Sequence, residues 1–380
     1  MNVIDLSSSL IKFKSISPKS AGSIEYISDL LKQKNFDCHL LEFGEKKIKN
    51  LYAEFSNGLG PNLCFAGHTD VVPPGNIEEW HSDPFTPFIK DGRIFGRGAC
   101  DMKSAIAAYI FSSLKFLNES KELFKGTLSF LITADEEGDA DFGTKKVVEW
   151  LKNNKRKIDF CVVGEPTNPK FLGEMIKIGR RGSLNGEVVL KGVQGHVAYP
   201  EQAYNPIDDV IKICSKIKLP LDKGSKHFQP SHLVITSIDV GNNVPNLIPG
   251  IAKIRFNIRF NDNHNSNDIK KLIKKRLDSV TKNYQLNIKV SGESFINHTK
   301  DLTKALVSSI KKTVNKEPVL STSGGTSDAR FISKICPVVE FGLVGKSMHK
   351  INENSKIKDI EKLSQIYHNF IKNIFLETQN

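Results

Sequence analysis

The segment LCFAGHTDVVP, residues 63–73, decides how the fold of this chain is interpreted. It begins with an apolar run at 63–66 and continues into polar residues that include His68 and Asp70. Short, nearly continuous apolar runs are typical of strands that are buried on both faces of a sheet. On a continuing extended segment, the side chains of His68 and Asp70 share one face. Asp70 is therefore expected to accept the free ring N–H of His68.

Further acidic and imidazole side chains stand at the ends of other apolar runs. The runs lie at 127–133, 160–163 and 337–341. The side chains that follow these runs, or that precede a predicted helix at 103–117, are Glu136, Glu137, Glu165, His349 and Asp101. Parallel sheets bind ligands at the carboxyl ends of their strands. If these strands are parallel, the sequence predicts that the six groups, His68 included, converge on one cleft.

Two imidazoles and four carboxylates suit a pair of divalent cations. Zn²⁺ accepts both nitrogen and oxygen ligands, and Mn²⁺ and Co²⁺ remain alternatives. Asp101 is a candidate bridging ligand, because its charge is favoured near the N-terminus of the following helix. Glu136 and Glu137 point to opposite sides of an extended chain, so one can bind metal while the other acts as a general base.

The order of predicted elements indicates an α/β fold that is interrupted by a smaller domain. Strands and helices alternate up to about residue 179 and again from about 302, as in a largely buried α/β sheet. Between these regions, residues 183–290 read strand, helix, strand, strand, helix, strand, which is a two-layer βαββαβ arrangement. The sequence therefore predicts one catalytic α/β domain with an inserted α/β domain.

The composition of the chain restricts its possible functions less than the residues at the strand ends do. The 380 residues carry 54 Lys and Arg against 42 Asp and Glu, a net charge of +12. This excess fits a nucleic-acid binder, an anionic membrane surface, an enzyme for acidic substrates, or a compositional bias of the surface. No basic patch with interleaved aromatics, basic amphipathic helix or long apolar run is evident, so we expect neither nucleic-acid nor membrane binding. The six cysteines form no CxxC pair, which favours a reducing, cytoplasmic location.

Longer motifs give a family resemblance. They are GHTDVVP at 67–73, GRGACDMK at 96–103, the Glu136–Glu137 pair, GEPT at 164–167 and MHK at 348–350. With these motifs the chain resembles the M20 group of dinuclear zinc amidohydrolases. The resemblance implies a zinc-peptidase-like catalytic domain at 1–179 and 295–380, and an inserted two-layer dimerisation domain at 180–294.

The resemblance also implies roles for single residues. A first zinc would bind His68 and Glu165, and a second would bind Glu137 and His349. Asp101 would bridge the two ions, Glu136 would be the general base, and Asp70 would support the site. By position alone His196 is a loop histidine, but the resemblance implies that it reaches the active site of the partner subunit. The implied substrate contacts are Arg180, Asn246, Arg259, Gly325 and Thr326.

The motifs at 179–184, 195–200 and 324–331 resemble those of family members that act on succinylated amino acids, and this resemblance implies the hydrolysis of an N-succinyl amide. The expected substrate is small and anionic, N-succinyl-LL-2,6-diaminopimelate, and the expected enzyme is a homodimer with two Zn²⁺ per subunit. Co²⁺ or Mn²⁺ is an alternative at one site. A related deacylase, such as an acetylornithine deacetylase or an aminoacylase, is the alternative function. One position departs from the family: Gly345 stands where other members often carry Asn.

Overall fold

The computed structural model describes residues 2–377 of the chain. The helices are α1 (Val3–Ile11), α2 (Ser23–Lys32), α3 (Lys103–Ser120), α4 (Thr144–Asn153), α5 (Pro206–Ile217), α6 (Ser266–Asp278), α7 (Lys300–Val314), α8 (Ala329–Ile332) and α9 (Ile357–Lys372). The strands of the first half are β1 (Asp37–Phe43), β2 (Ile48–Asn57), β3 (Asn62–His68), β4 (Phe88–Lys90), β5 (Arg93–Phe95), β6 (Gly126–Thr133), β7 (Phe160–Val163), β8 (Met175–Lys177) and β9 (Gly179–Arg180). The remaining strands are β10 (Gly182–Lys191), β11 (Gly195–His196), β12 (His232–Asp239), β13 (Leu247–Ile248), β14 (Ile251–Phe260), β15 (Tyr284–Gly292), β16 (Phe295–Ile296), β17 (Val319–Ser321), β18 (Val338–Glu340) and β19 (Asn354–Lys356).

The chain divides into two compact units. The first contains the described residues of Met1–Ile178, Asn297–Ser321 and Ser327–Asn380, and the second contains Gly179–Ile296 and Thr322–Thr326. The sequence interpretation placed residues 322–326 in the catalytic domain, whereas the structure groups them with the second unit.

An eight-stranded mixed sheet forms the centre of the first unit, in the order β1-β2-β6-β3-β7-β18-β8-β17. Its four middle strands, β6, β3, β7 and β18, are mutually parallel. Every residue of β3 is buried, as expected for a strand covered on both faces. The predicted α/β class is confirmed, and the four strands meet the condition of parallel direction on which the predicted cleft depends. The four strands consequently end at the same edge of the sheet.

Helix α3 is the central helix of the first unit, packed against α1 and α9. Its first turns carry the small residues Ala105, Ala107 and Ala108, all fully buried. Small side chains allow helices to approach closely. The hydroxyl of Ser112 on α3 donates to the carbonyl of Ser364 on α9 at 2.7 Å, so the two backbones lie close together. This packing holds α3, which begins two residues after Asp101.

The second unit is a four-stranded antiparallel sheet, in the order β12-β14-β10-β15. Helices α5 and α6 cover one face and share a core with the sheet. Two glycines of β10 lie opposite aromatic rings of β14, and a Cβ at Gly186 would lie 2.1 Å from the ring of Phe256. The ring therefore fills the space that a side chain at Gly186 would need. The predicted βαββαβ order is confirmed.

One further feature concerns the helices of both units. None of those that the structure describes combines the length and the apolar character needed to span a bilayer.

Candidate active site

The parallel strands bring the predicted side chains of the first unit to one edge of the sheet. His68 is the last residue of β3, and Glu165 follows the end of β7 by two residues. Glu136 and Glu137 lie in the loop after β6, while His349 lies in the loop after β18. Asp101 precedes the first turn of α3.

Asp101 lies between the two imidazoles. Its Oδ1 is 3.3 Å from His68 Nε2, and its Oδ2 is 3.2 Å from His349 Nε2. Asp101 and His68 are almost completely buried, with exposures of 5% and 1%. Asp101 Oδ1 and His68 Nε2 are buried atoms without a hydrogen-bond partner among the described residues. One carboxylate oxygen therefore faces each imidazole, in the arrangement that a bridging metal ligand requires.

The three glutamates complete two groups of ligand atoms. Glu137 Oε1 lies 2.9 Å from His349 Nε2, and Glu165 Oε1 lies 3.8 Å from His68 Nε2. Ligand atoms of His68, Asp101 and Glu137 lie within 4.8 Å of one another, and so do those of His68, Glu136 and Glu165. Glu136 therefore lies within reach of the same space as the expected ligands of the first cation.

Asp70 departs from the expected geometry. His68 Nδ1 lies 2.9 Å from the backbone carbonyl oxygen of Asp70, whereas the Asp70 carboxylate is 3.8 Å from that nitrogen. The carboxylate instead accepts the backbone N–H groups of Glu136, at 3.1 and 3.2 Å, and of Glu137, at 3.0 Å. The expectation that the Asp70 side chain holds the His68 ring is thus corrected. These amides lie closer to the carboxylate than the ring does, and in the loop after β6 they have need of an acceptor.

The imidazoles of the site hold protons strongly. Burial opposes the charged form of His68, but Asp101 and then Glu165 raise its pKa well above the ordinary value. Hydrogen bonds with Asp101 and Glu137 raise the pKa of His349 to about 10. Burial also opposes the charged form of Asp101, yet the nearby imidazoles of His349 and His68 hold its pKa below the usual range.

Glu136 and Glu165, unlike Asp101, have a raised pKa. Burial, followed by nearby carboxylates, raises the pKa of Glu136 and the pKa of Glu165 well above the ordinary value. The site concentrates more negative charge than its buried surroundings can solvate. Such surroundings favour either protonation of the carboxylates or a bound cation.

Close backbone approach at Gly342 helps to assemble the site. A Cβ at this position would lie 2.2 Å from the carbonyl oxygen of Gly164 and 2.5 Å from that of Glu165. Only glycine allows the chain after β18 to pass this near to the loop that carries Glu165. Further along, His349 itself adopts a left-handed backbone conformation, with φ of 61°.

Sequence reasoning assigned no role to two buried acids of the first unit. Glu353 accepts the backbone N–H of Asp101 at 3.0 Å. Asp328 accepts the hydroxyl of Thr144 at 2.6 Å, and burial raises its pKa to about 6. Asp328 falls within the glycine-rich motif at 324–331, but its burial gives no signal in the sequence. Glu353 follows no apolar run. Its position four residues after His349 is the one feature of the local sequence that could have indicated a role at the site.

The remaining predicted residues lie in the second unit. The short ribbon of β11 and β13 brings His196 close to Asn246, and the Val197 N–H donates to the Asn246 carbonyl. His196 is exposed, and its Nδ1 accepts the Ala198 N–H at 3.1 Å. This local bond is the capping contact of a loop histidine.

Arg180 and the glycine-rich loop also lie together in the second unit. Arg180 is buried, and its guanidinium donates to the Ser323 carbonyl at 3.4 Å, in the loop that also carries Gly325 and Thr326. Arg259 lies on β14, where its Nε donates to Asn257 at 3.0 Å.

A largely buried cluster of imidazoles and carboxylates at the carboxyl ends of parallel strands is typical of a metal-dependent hydrolase. The model of Peptidase family M20/M25/M40 matches residues 64–373. The chain belongs to this family, and the predicted membership is confirmed.

Named relatives extend along nearly the whole chain. A protein of Wolbachia pipientis wMel named succinyl-diaminopimelate desuccinylase is 51% identical over 376 residues, covering 99% of this chain and 94% of that protein. A protein of the same name from Pelagibacter ubique is 50% identical over 382 residues, covering 98% and 99%.

Solved structures share the fold. An M20 family metallo-carboxypeptidase from Sulfolobus solfataricus superposes with a TM-score of 0.81 at 21% identity, covering 98% of this chain and 99% of its own. A Bacillus subtilis protein described as a dinuclear metal-binding peptidase of the M20 family gives a TM-score of 0.70 at 18% identity, covering 97% and 96%.

Proposed function

We propose that the protein hydrolyses N-succinyl-LL-2,6-diaminopimelate to succinate and LL-2,6-diaminopimelate, a step of lysine and diaminopimelate biosynthesis. The observation that carries the proposal is the row His68–Asp101–His349, in which His68 and Asp101 are buried, with Glu136 beside it. The relatives that share about half of their residues with this chain bear the name of that activity.

The residues present fit two divalent cations. His68 Nε2 and Asp101 Oδ1 are buried without a hydrogen-bond partner among the described residues, which suits atoms that bind a cation. We infer that His68 and Glu165 hold one cation, that Glu137 and His349 hold the other, and that Asp101 contacts both. Mixed nitrogen and oxygen ligands favour Zn²⁺, with Co²⁺ or Mn²⁺ as alternatives at one site. Bound cations would lower the pKa of a water molecule and polarise the scissile carbonyl.

Glu136 supplies the proton transfer in this proposal. Its carboxylate lies beside the expected ligands of the first cation, where it can accept a proton and then return it. The carboxylate takes a proton from the attacking water as the water oxygen bonds to the succinyl carbonyl carbon. It then delivers that proton to the amide nitrogen as the carbon–nitrogen bond breaks. Asp70 keeps Glu136 in place, because it binds the Glu136 backbone N–H.

Residues of the second unit would recognise the anionic substrate. Arg180 and Arg259 offer guanidinium groups that suit bidentate binding of carboxylates. Backbone N–H groups at Gly325 and Thr326, and the side chain of Asn246, would provide further donors. The Arg180 contact with the carbonyl of Ser323 supports a common role for Arg180 and the glycine-rich loop.

The second unit also has a surface suited to a homodimer. Strand β12 is at the edge of its sheet, and its Val234 and Ile238 side chains are each 51% exposed. An exposed apolar edge strand can pair with another chain. We propose that β12 pairs with a second copy and that His196 acts at the partner's site, where its ring would stabilise the developing oxyanion. Mixed dimers test this: a His196→Ala chain combined with a Glu136→Ala chain should regain part of the activity, whereas none would return if His196 served its own subunit.

The direct test of the reaction compares two substrates on zinc-loaded protein. Amine release from N-succinyl-LL-2,6-diaminopimelate should exceed release from N-acetylornithine. The reverse preference would favour the alternative, a related deacylase such as an acetylornithine deacetylase or an aminoacylase. The cytoplasmic location stays a prediction from the cysteine pattern.

A further inference from the structure

A buried ion pair lies next to the candidate metal site, and the proposed reaction does not use it. Arg97 and Glu353 are 1% and 0% exposed. Arg97 Nη1 donates to Glu353 Oε2 at 2.7 Å. Removing two charges from water is costly, and a buried ion pair is weak evidence of added stability. The role of this ion pair is indicated by the backbone groups that its two side chains bind.

Glu353 holds the turn that presents Asp101. Its other oxygen, Oε1, accepts the backbone N–H of Cys100 at 2.8 Å and that of Asp101 at 3.0 Å. Hydrogen bonds from N–H groups to an ionised carboxylate are shorter and stronger than neutral ones. One glutamate thus fixes the backbone of the central acid of the site.

Arg97 binds the backbone of two further loops of the site. Its Nη1 also donates to the Lys350 carbonyl at 3.2 Å, one residue beyond His349. Its Nη2 donates to the Pro73 carbonyl at 3.2 Å, in the loop that follows His68. The planar guanidinium provides several donors at fixed angles, which a lysine ammonium does not.

We propose that Arg97 and Glu353 form a positioning pair that sets the spacing of His68, Asp101 and His349 for cation binding. The proposal rests on the proposed function only in taking these three residues as ligands. Groups that orient metal ligands from behind are known to control metal affinity strongly. Here one ion pair joins three loops that are far apart in the sequence.

Glu353→Gln is the sharpest test variant, because it keeps the shape of the side chain. A glutamine presents one NH₂ donor, which must face either the Arg97 guanidinium or the Cys100 and Asp101 amides. A donor then faces a donor in either orientation. Glu54→Gln is the matched control: Glu54 also pairs with an arginine of the first unit, Arg156, and accepts the Tyr52 hydroxyl at 2.7 Å.

The measurement is Zn²⁺ titration of metal-free protein against a chromophoric chelator, with the visible spectrum of the Co²⁺-loaded protein as a second readout. Glu353→Gln should weaken the binding of at least one cation by about 10- to 100-fold and change the Co²⁺ spectrum, while Glu54→Gln matches wild type. Affinity within about threefold of wild type would overturn the proposal, even if the melting temperature fell.

Arg97→Lys replaces the first variant if Glu353→Gln does not fold. It keeps the charge and loses the fixed donors, so we expect an affinity loss of about tenfold. Unchanged affinity would again overturn the proposal. Neither readout uses the succinylated substrate. Failure of wild type to hydrolyse that substrate would thus refute the proposed function and leave the positioning pair standing.

Discussion

Asp70→Asn separates the two roles that the Asp70 side chain can have. If its carboxylate held the His68 ring, the substitution would disturb the cation bound by His68. In the structure the Asp70 backbone carbonyl holds that ring, and this carbonyl is unaffected by a change of side chain. The carboxylate accepts the Glu136 and Glu137 amides, so the effect should fall on the general base and on the Glu137 side of the site.

The magnitude follows from the two amides. Both amides donate to Oδ2, so an asparagine whose oxygen takes that position keeps an acceptor for each of them. It loses the negative charge of that acceptor, and it places an NH₂ donor at the Oδ1 position, 3.2 Å from the Glu136 amide nitrogen. Such a loss costs about 1–3 kcal/mol, so the free energy of unfolding should fall by that amount. If the whole loss displaced Glu136 from its position for proton transfer, turnover would fall by roughly 10- to 100-fold.

Three measurements on Asp70→Asn test this account: urea unfolding of metal-free protein, turnover of the loaded enzyme, and Zn²⁺ affinity. Turnover and unfolding free energy should fall, while the affinity for the cation at His68 stays close to that of wild type. A strong loss of that affinity with little change in turnover would refute the account. It would indicate that the carboxylate serves the His68 ring after all.

Three further substitutions give distinct results. His349→Ala removes a ring that contacts Asp101 and Glu137. Metal analysis after dialysis should therefore show that one cation is lost more readily than the other. Equal retention of both cations would contradict the ligand assignment. Gly342→Ala places a Cβ against the backbone of the Glu165 loop. Urea unfolding should show that the free energy of unfolding falls by about 1–3 kcal/mol. An unfolding free energy equal to that of wild type would refute the close approach.

Lys103→Met tests how burial changes the pKa of Lys103. Burial lowers the pKa of Lys103 to about 7, from 10.5 in the unfolded chain, so between these values the unfolded state binds more protons and stability rises with pH. In urea unfolding of metal-free protein, the stability of wild type relative to Lys103→Met should rise by about 1.4 kcal/mol between pH 8 and pH 9; a constant difference would refute the shift.

The elements that carry the site could be predicted because each combines an apolar run with a polar end. The fully buried strand β3 and the strands beside it give this signal without help from the rest of the fold. The start of helix α5 also has a signal in the sequence, since Asn205 caps it and Pro206 occupies its first turn. Strands β1 and β2 gave no comparable signal. β1 lies at the sheet edge and is partly exposed along its length, so its pairing depends on tertiary contacts.

The partners of the site residues could be predicted less well than the residues themselves. The sequence places Asp70 two positions from His68, but not beside the amides of Glu136 and Glu137, which approach it only in the folded sheet. Glu353 is a lone acid in the sequence, and its contact with the Asp101 backbone crosses more than 250 residues. Such contacts depend on loop geometry, which carries no periodic pattern.

The central claim is that Glu136 transfers the proton beside two cations held by its neighbours. The most direct test is the turnover of N-succinyl-LL-2,6-diaminopimelate by Glu136→Gln protein whose metal content has been measured. The account predicts two cations per chain, as in wild type, and a turnover lower by about 100- to 10,000-fold. Turnover within about tenfold of wild type at full metal content would contradict it.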